Sequence, residues 1–428
     1  MEQDITESTA GVEIPRPSIA QLLRRRPRAV LKALGPGLIA GASDNDPTTV
    51  ATLAVIGAST AYGLAWLVVL VIPMLVVVQV VAAAVGVCAR EGLAAAVRAR
   101  FGRGWAIAAL LAVLAVNLVT LAADLEGGAA ALGLLTGVPG RWFALPFAAV
   151  AGALLVWGNH GAIQRALRWV LLIFLAYVAA AFLARPDWGD VLRHTVIPHF
   201  ALSSAYVTGA IALLGTTLTS YAYVWETIEA AEARPPLRRL GLVQLDAGAG
   251  MVLAGALCWF IVIATGATLG ATGTEVQTAQ DAAAALAPAA GRYVAMLFGL
   301  GLLASAVLAV PVLAGTSAYV LAEVCGWRAS LDAPFARARP FYGAMLASLA
   351  IGAAITFLGV GPIRLLFLSS IAGGLATPFT LALLLLIARD RAAMRGERIG
   401  GGLAAAGWLV VAVVTAAAAA FLWQTLRG

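Results

Sequence analysis

Gly35-Pro36-Gly37-Leu38-Ile39-Ala40-Gly41-Ala42-Ser43-Asp44-Asn45-Asp46-Pro47-Thr48-Thr49-Val50-Ala51-Thr52 is an apolar run long enough to begin crossing a bilayer, with two carboxylates, an amide, a proline and paired threonines at its middle. A charged side chain at membrane depth costs at least ~2.5 to 3.5 kcal/mol even on the lenient insertion scale. Pro47 has no N–H to donate, and its ring disfavours helical backbone in the residue before it. The stretch therefore predicts a helix that breaks around Asp46 and frees carbonyls beside a carboxylate within the membrane. Carbonyls with a carboxylate suit a cation. The competing reading is a kinked helix whose polar groups pair internally.

Outward from this stretch the chain is overwhelmingly apolar. Of 428 residues, 62% are hydrophobic and 11% charged, which excludes an ordinary soluble domain. Apolar runs of about 18 residues or more recur to the end, so the pattern is an all-α polytopic membrane protein. The spans fall at 33–57, 61–88, 104–135, 142–157, 166–184, 204–231, 243–270, 292–325, 341–360, 363–388 and 403–425. Residues 1–30, with Pro15 and Pro17, read as a mobile cytosolic tail. The basic cluster Arg24-Arg25-Arg26-Pro27-Arg28 leads into a segment too long and too polar for a secretory signal.

Alternating the spans from a cytosolic N-terminus puts every Lys and Arg on the cytosolic side except Arg141, Arg185, Arg193, Arg292, Arg364 and Arg427. The positive-inside rule then sets the orientation, with the C-terminus outside the cytoplasmic membrane. The net charge of +7 follows from that placement and carries no implication of nucleic-acid binding. Cys88, Cys258 and Cys325 are isolated in or beside apolar spans and suggest neither a disulfide framework nor a metal cluster.

Span two, with Pro73 and Gln79, reads as a lipid-facing or scaffold helix that ends in a short basic loop. In span three, Asn117, Thr120 and Asp124 recur at helical spacing and share a face. Glu126 lies about 200° round the helix from Asp124 and points to an outer, solvated vestibule. Asp124 is either a proton carrier, a support for the site, or a buried hydrogen-bonding group to a neighbouring helix. After span five, Asp187, Asp190, His194 and His199 match no ligand spacing and read as a solvated loop. No His-Glu-x-x-His or Ser/Lys constellation is present and no histidine falls in a span, which argues against an intramembrane enzyme.

Span six holds a second irregular stretch, Gly215-Thr216-Thr217-Leu218-Thr219-Ser220-Tyr221, where clustered hydroxyls compete for backbone carbonyls. Glu226, Glu229 and Glu232 follow on one face, at an inner exit or at the membrane edge. The two irregular stretches lie in spans one and six, corresponding members of two five-span halves. Five is odd, so the second half is inverted relative to the first. Repeat one is then 31–184, repeat two 204–388, and the helix at 403–425 lies outside them. Transporters with inverted repeats place their site where two such breaks meet. Span ten is rich in small residues and kinked at Pro378.

The sequence resembles the Nramp family of divalent-metal transporters over nearly all its spans. The family's Asp-Pro-Gly-Asn motif falls on Asp46-Pro47-Thr48-Thr49, its Ala-x-x-Met on Thr216-Thr217-Leu218-Thr219, and its third-helix glutamate on Asp124. Gly301-Leu302-Leu303-Ala304-Ser305, Leu368-Ser369-Ser370 and Pro378-Phe379 extend the likeness. The Asn becomes Thr49, the Met becomes Thr219, a Gln becomes Ser370, a histidine two residues after the Met becomes Tyr221, and an aspartate before the third-helix glutamate becomes Leu121. These departures resemble a divergent bacterial branch, some members of which carry magnesium.

The resemblance implies a LeuT-like 5+5 inverted-repeat fold in which Asp46 ligates the ion. The Ser43 and Thr216 carbonyls and the Thr49 and Thr219 hydroxyls complete or water-bridge the shell, with Asp44 and Ser370 next in line. Asp124 and Tyr221 stand behind as proton or supporting groups. Loss of the thioether favours harder ions such as Mg²⁺ or Mn²⁺, and the shorter Thr219 leaves room for an ion that keeps water. The implied partners are the metal, as substrate rather than cofactor, and the bilayer, in a monomer or weak homo-oligomer. Proton coupling is weak or absent on this reading. A proton-coupled Mn²⁺ or Fe²⁺ carrier and an amino-acid symporter are the rivals, though Asp44 and Asp46 have the wrong charge to bind a carboxylate.

Overall fold

The structure, a computed structural model, describes residues 45–157, 175–201, 203–270, 292–331 and 333–427. In chain order the helices are α1 (Pro47–Thr60), α2 (Ala65–Ala89), α3 (Leu93–Phe101), α4 (Arg103–Thr136), α5 (Ala144–Trp157), α6 (Leu175–Leu183) and α7 (Trp188–Val196). They continue with α8 (Ser204–Thr217), α9 (Ser220–Ala233), α10 (Leu240–Thr265), α11 (Arg292–Cys325), α12 (Arg339–Thr356), α13 (Pro362–Arg389) and α14 (Gly401–Arg427). A π turn over Gly266–Gly270 extends α10. Among the described residues there is no strand. Among the described residues, eight helical segments, with α8 and α9 taken together as one of them, are long and apolar enough to cross a membrane. The mobile tail expected at 1–30 and the first half of span one lie outside the described residues.

The helices sort into two packed groups. In one, α1 and α2 lie against α10, and α8 and α9 lie against α1 and α2; in the other, α4 packs on α11, with α12 beside both and α5 beside α12. Between the groups runs α13, which touches α1, α4 and α8. Small residues permit that placement. A methyl group at Gly215 of α8 would collide with the Ser370 carbonyl and the Gly374 backbone of α13. One at Gly127 of α4 would meet the Pro47 ring at 2.8 Å. Helices without side chains at the contact approach closely in a bilayer, where van der Waals packing replaces the hydrophobic drive. By contrast α14 has only a thin buried stripe, including Val410 and Val414, which packs along α13.

Three expectations are revised. Of the two readings of span two, lipid-facing is revised: α2 is largely buried between α9 and α10, with Gln79 buried in it, because its small C-terminal face, Ala82 to Gly86, admits α9. The loop at 90–103 contains a helix. Gly92 supplies no cap for α3, so other helices do: Thr227 Oγ1 of α9 accepts the Leu93 N–H at 3.0 Å, and the Glu323 carboxylate of α11 accepts that of Ala95 at 3.1 Å. The segment after span five forms α7, capped by Asp187, whose carboxylate accepts from the Gly189 and Asp190 amides. His194 sits on α7 one turn after Asp190, its Nδ1 3.2 Å from that carboxylate.

The ends of α2, α9, α11 and α13 gather with α3 at one end of the bundle. Arg90, Arg98, Arg100, Arg234 and Arg395 cluster there, around a cavity of about 550 Å³ that Glu91, Glu232, Glu323 and Tyr319 also line, and a smaller one beside it. Arg100 pairs with Asp390 in the loop after α13, and holds that half-buried carboxyl below its usual value of 3.8.

Candidate functional site

The site lies where α1 begins and span six breaks. Asp46 is extended (φ −68°, ψ 169°), as a residue before proline prefers, and it caps α1 itself. Its Oδ1 accepts the Thr49 N–H at 2.6 Å. The Thr48 N–H goes instead to α4, where Asp124 Oδ1 accepts it at 3.1 Å and the Thr48 hydroxyl at 2.7 Å. Pro47 has no N–H, and Val50 bonds to the Asp46 carbonyl at 3.0 Å. The start of α1 therefore leaves none of its first four donors free, and two carboxylates face its positive end.

Span six breaks without a proline. Leu218 (φ −95°, ψ 39°) ends α8, and Thr219 (φ −67°, ψ 139°) precedes α9. Thr377 of α13 donates its hydroxyl to the freed Leu218 carbonyl at 2.9 Å. The Thr216 carbonyl, near the negative end of α8, takes a long 3.4 Å bond from the Thr49 hydroxyl, which also pairs with Thr216 Oγ1 at 2.9 Å. From α9, the Tyr221 hydroxyl donates to Asp46 Oδ2 at 2.8 Å. Asp46 thus sits between two helix starts and opposite a helix end.

Of the residues expected at the site, the structure brings Asp46, Thr49, Thr216, Thr219, Ser370, Asp124 and Tyr221 into one buried region, while Ser43 and Asp44 lie outside the described residues. Asp46, Thr216, Thr219 and Ser370 line a cavity of about 10 Å³ with Thr48, Val116, Thr120, Gly215, Ser369 and Gly373. That is room for about one water-sized body. The roomier pocket expected from Thr219 is not formed here, because the hydroxyls close on one another. Thr52 Oγ1 pairs with Ser370 at 2.7 Å and Thr120 Oγ1 with Ser369 at 2.6 Å, beside the Thr49–Thr216 pair.

Around the cavity, Asn117 donates to Ser317 of α11 at 3.2 Å, while its Oδ1, like Asp124 Oδ2, is buried with no partner among the described residues. Glu126, expected at an outer vestibule, is half-buried, and its Oε2 has no partner among the described residues either. Thr48, Thr120, Ser369 and Asn45 were not assigned to the site from the sequence. Thr120 carried a helical-face signal with Asp124, while Thr48, Ser369 and Asn45 were visible only as members of the quoted stretches. Among the described residues no three His, Cys, Asp or Glu side chains group as a metal site, so the acidic charge at this cavity comes from Asp46, supported by neutral oxygens.

The sequence matches the model of the Nramp family, described as natural resistance-associated macrophage protein-like, over residues 37–424. The chain belongs to the Nramp family. Similar Nramp proteins include the divalent metal cation transporter MntH of Deinococcus radiodurans, 27% identical over 94% of this chain and 92% of that one. MntH of Ralstonia nicotianae is 30% identical with the same coverage of both chains. The fold is similar to that of a manganese transporter from Eremococcus coleocola, with a TM-score of 0.71 at 21% identity, over 92% of this chain and 86% of that one. Within this Nramp fold, Asp46 and Thr48, Thr120 of α4, Thr216 and Thr219 of span six, and Ser369 and Ser370 of α13 supply the oxygens around the cavity.

Proposed function

We propose that the protein is a secondary transporter that moves divalent metal cations, Mg²⁺ or Mn²⁺ or both, across the cell membrane by alternating access. One observation carries this: the Asp46 carboxylate stands opposite the carbonyl end of α8, beside a cavity whose polar side chains, Asp46, Thr48, Thr120, Thr216, Thr219, Ser369 and Ser370, offer only oxygen. A carboxylate and a helix C-terminus favour a cation, and oxygen donors without a thioether favour Mg²⁺ and Mn²⁺ over later, softer metals. Asp46 is the first ligand, with the Thr216 carbonyl and the Thr49 and Thr219 hydroxyls beside it. Ser370 is next, and Ser43 and Asp44 join on the sequence pattern. The names of the MntH relatives and of the E. coleocola transporter agree with such a cargo. The ion is substrate, and no resident cofactor is invoked.

In transport, the group of α1, α8, α9 and α10 rocks against α4 and α11. The ion enters as the hydroxyl pairs of Thr49–Thr216 and Thr52–Ser370 exchange their mutual bonds for it or its waters. The arginine-rich end faces the cytosol, which puts the C-terminus outside, and the proposed direction of flux is import. Where the family resemblance places a histidine stands Tyr221, whose hydroxyl donates to Asp46 and which lacks an imidazole's second ring nitrogen to take up a proton. Weak or absent proton coupling follows. A second reading, a proton-coupled Mn²⁺ or Fe²⁺ symporter, draws on Asp124 Oδ2, which has no partner among the described residues.

Uptake into proteoliposomes separates the two. Mg²⁺ blocking Mn²⁺ uptake at comparable concentration, with no acidification of the lumen, supports the first. Mn²⁺ uptake that persists in excess Mg²⁺ and acidifies the lumen rejects it in favour of the second. Thr219→Met restores a soft donor, and Cd²⁺ uptake should rise severalfold relative to Mg²⁺.

A further inference from the structure

We infer that Asn45 is a positioning residue of the ion site: by clasping one turn of α10 it sets the direction in which Asp46 faces. The inference rests on the transport reading above. Asn45 immediately precedes Asp46 and is completely buried. Its Nδ2 donates to the Ala254 carbonyl at 3.4 Å, and its Oδ1 accepts from the Cys258 thiol at 3.2 Å. Ala254 and Cys258 are four residues apart, hence on one face of α10, and the carboxamide spans them.

On the other side of Asp46, Thr48 is tied to Asp124 of α4 and Thr49 to Thr216 of α8. Asp46 is therefore held from both directions along the chain, through three other helices, and the final aim of its carboxylate is set by Thr49 and Tyr221. The contact with α10 continues along α1. Thr265 approaches the Leu53 carbonyl at 3.5 Å, and Gly57 lies so close to Thr265 and Gly266 that no methyl group would fit. Helix α10 is thus a rail for α1 from the break to its far end, and Asn45 is the polar pin at the break. An apolar side chain of similar size would fill the space with no polar group to desolvate. What the amide adds is direction, since hydrogen bonds fix an angle where packing alone does not.

Mn²⁺ uptake kinetics in proteoliposomes and calorimetric Mn²⁺ binding, with apparent melting temperature measured alongside, test this on Asn45→Leu, Cys258→Ala, Cys258→Ser and Asp46→Ala. Asn45→Leu should raise both KM and Kd about tenfold while Vmax and melting stay near the parent's, as expected for losing oriented hydrogen bonds rather than fold. Cys258→Ala should raise KM about threefold, and Cys258→Ser, which keeps a donor, should restore it. KM and Kd within about twofold of the parent for Asn45→Leu, or a lowered melting temperature with KM unchanged, would overturn the inference. If Asn45→Leu fails to fold, the Cys258 pair decides, and equal KM for its Ala and Ser forms sinks the idea. Normal transport by Asp46→Ala would instead sink the transport reading itself, which keeps the two failures apart.

Discussion

At the start of α1 each free N–H has a partner, and the cap comes from Asp46, the residue before Pro47. At the start of α9 the position before the helix, Thr219, makes no side-chain cap, and Ser220 Oγ is buried with no partner among the described residues. Both starts face the same cavity, yet only the first closes on its own cap. The second, where the sequence clusters hydroxyls, is completed from outside by α13: backbone contact at Gly215, Gly373 and Gly374 fixes where α8 runs, and Thr377 takes up the carbonyl that the break releases. A break imposed from outside leaves polar groups without local partners, and such groups are free to turn towards an ion. The self-capped break supplies a fixed carboxylate, and the imposed one supplies adaptable oxygens.

The largest expected effect breaks the self-capped side. Asp46→Ala should reduce metal uptake to background in a protein that still folds, because removing an N-cap costs only about 1 kcal/mol of helix stability. Uptake at normal yield and near-normal melting checks this, and residual uptake above about a tenth of the parent's would remove Asp46 from the ligand set.

Next is the imposed side. Gly215→Val pushes a branched side chain into the Ser370 carbonyl and Gly374, and overpacking of this kind typically costs about 1 to 3 kcal/mol. The apparent melting temperature should fall clearly. An unchanged value would mean that α8 and α13 separate easily, and that the break does not depend on their contact. Thr377→Val is the milder version, since it removes only the hydroxyl that reaches Leu218, and about 1 kcal/mol should be lost. Loss from Thr377→Val matching that from Gly215→Val would shift the cause of the break from packing to hydrogen bonding.

The smallest effect is a reference far from both breaks. Pairing with Arg100 lowers the Asp390 pKa in the folded protein, so the pair stabilises above the ordinary value of 3.8 and that stabilisation fades as pH falls through the lower folded value. Arg100 is half-exposed, so solvent screening keeps the effect small. Arg100→Gln should lower the melting temperature slightly near neutrality, with the difference closing as pH drops below about 4. A difference that widens with acid would contradict the sign, and any change in metal KM would show that this end is not a neutral reference.

The ends of several long helices were legible because they depend on short-range chemistry. Spans three, eight and ten fall within two residues of α4, α11 and α13, since apolar length and flanking charge mark a bilayer crossing directly. The break around Asp46 and the shared face of Asn117, Thr120 and Asp124 followed from local chemistry in the same way, whereas the cap that Asp46 supplies came from the structure. Less was visible where a helix depends on distant groups, as α3 does on Thr227 and Glu323.

By itself, then, the sequence determined that the membrane helices exist, that the first described one starts at an aspartate, and that oxygen-bearing residues gather in spans one, three, six and ten. Only the tertiary structure decided which oxygens meet: Thr48 with Asp124, Tyr221 with Asp46, Thr52 with Ser370, Asn45 with α10. It also decided that the hydroxyls close the cavity down to about 10 Å³. The reason is range. Propensity, capping and periodicity act over one or two turns, whereas these partners stand 76 to 318 residues apart in the chain, and their distances are set by how closely glycine-faced helices approach.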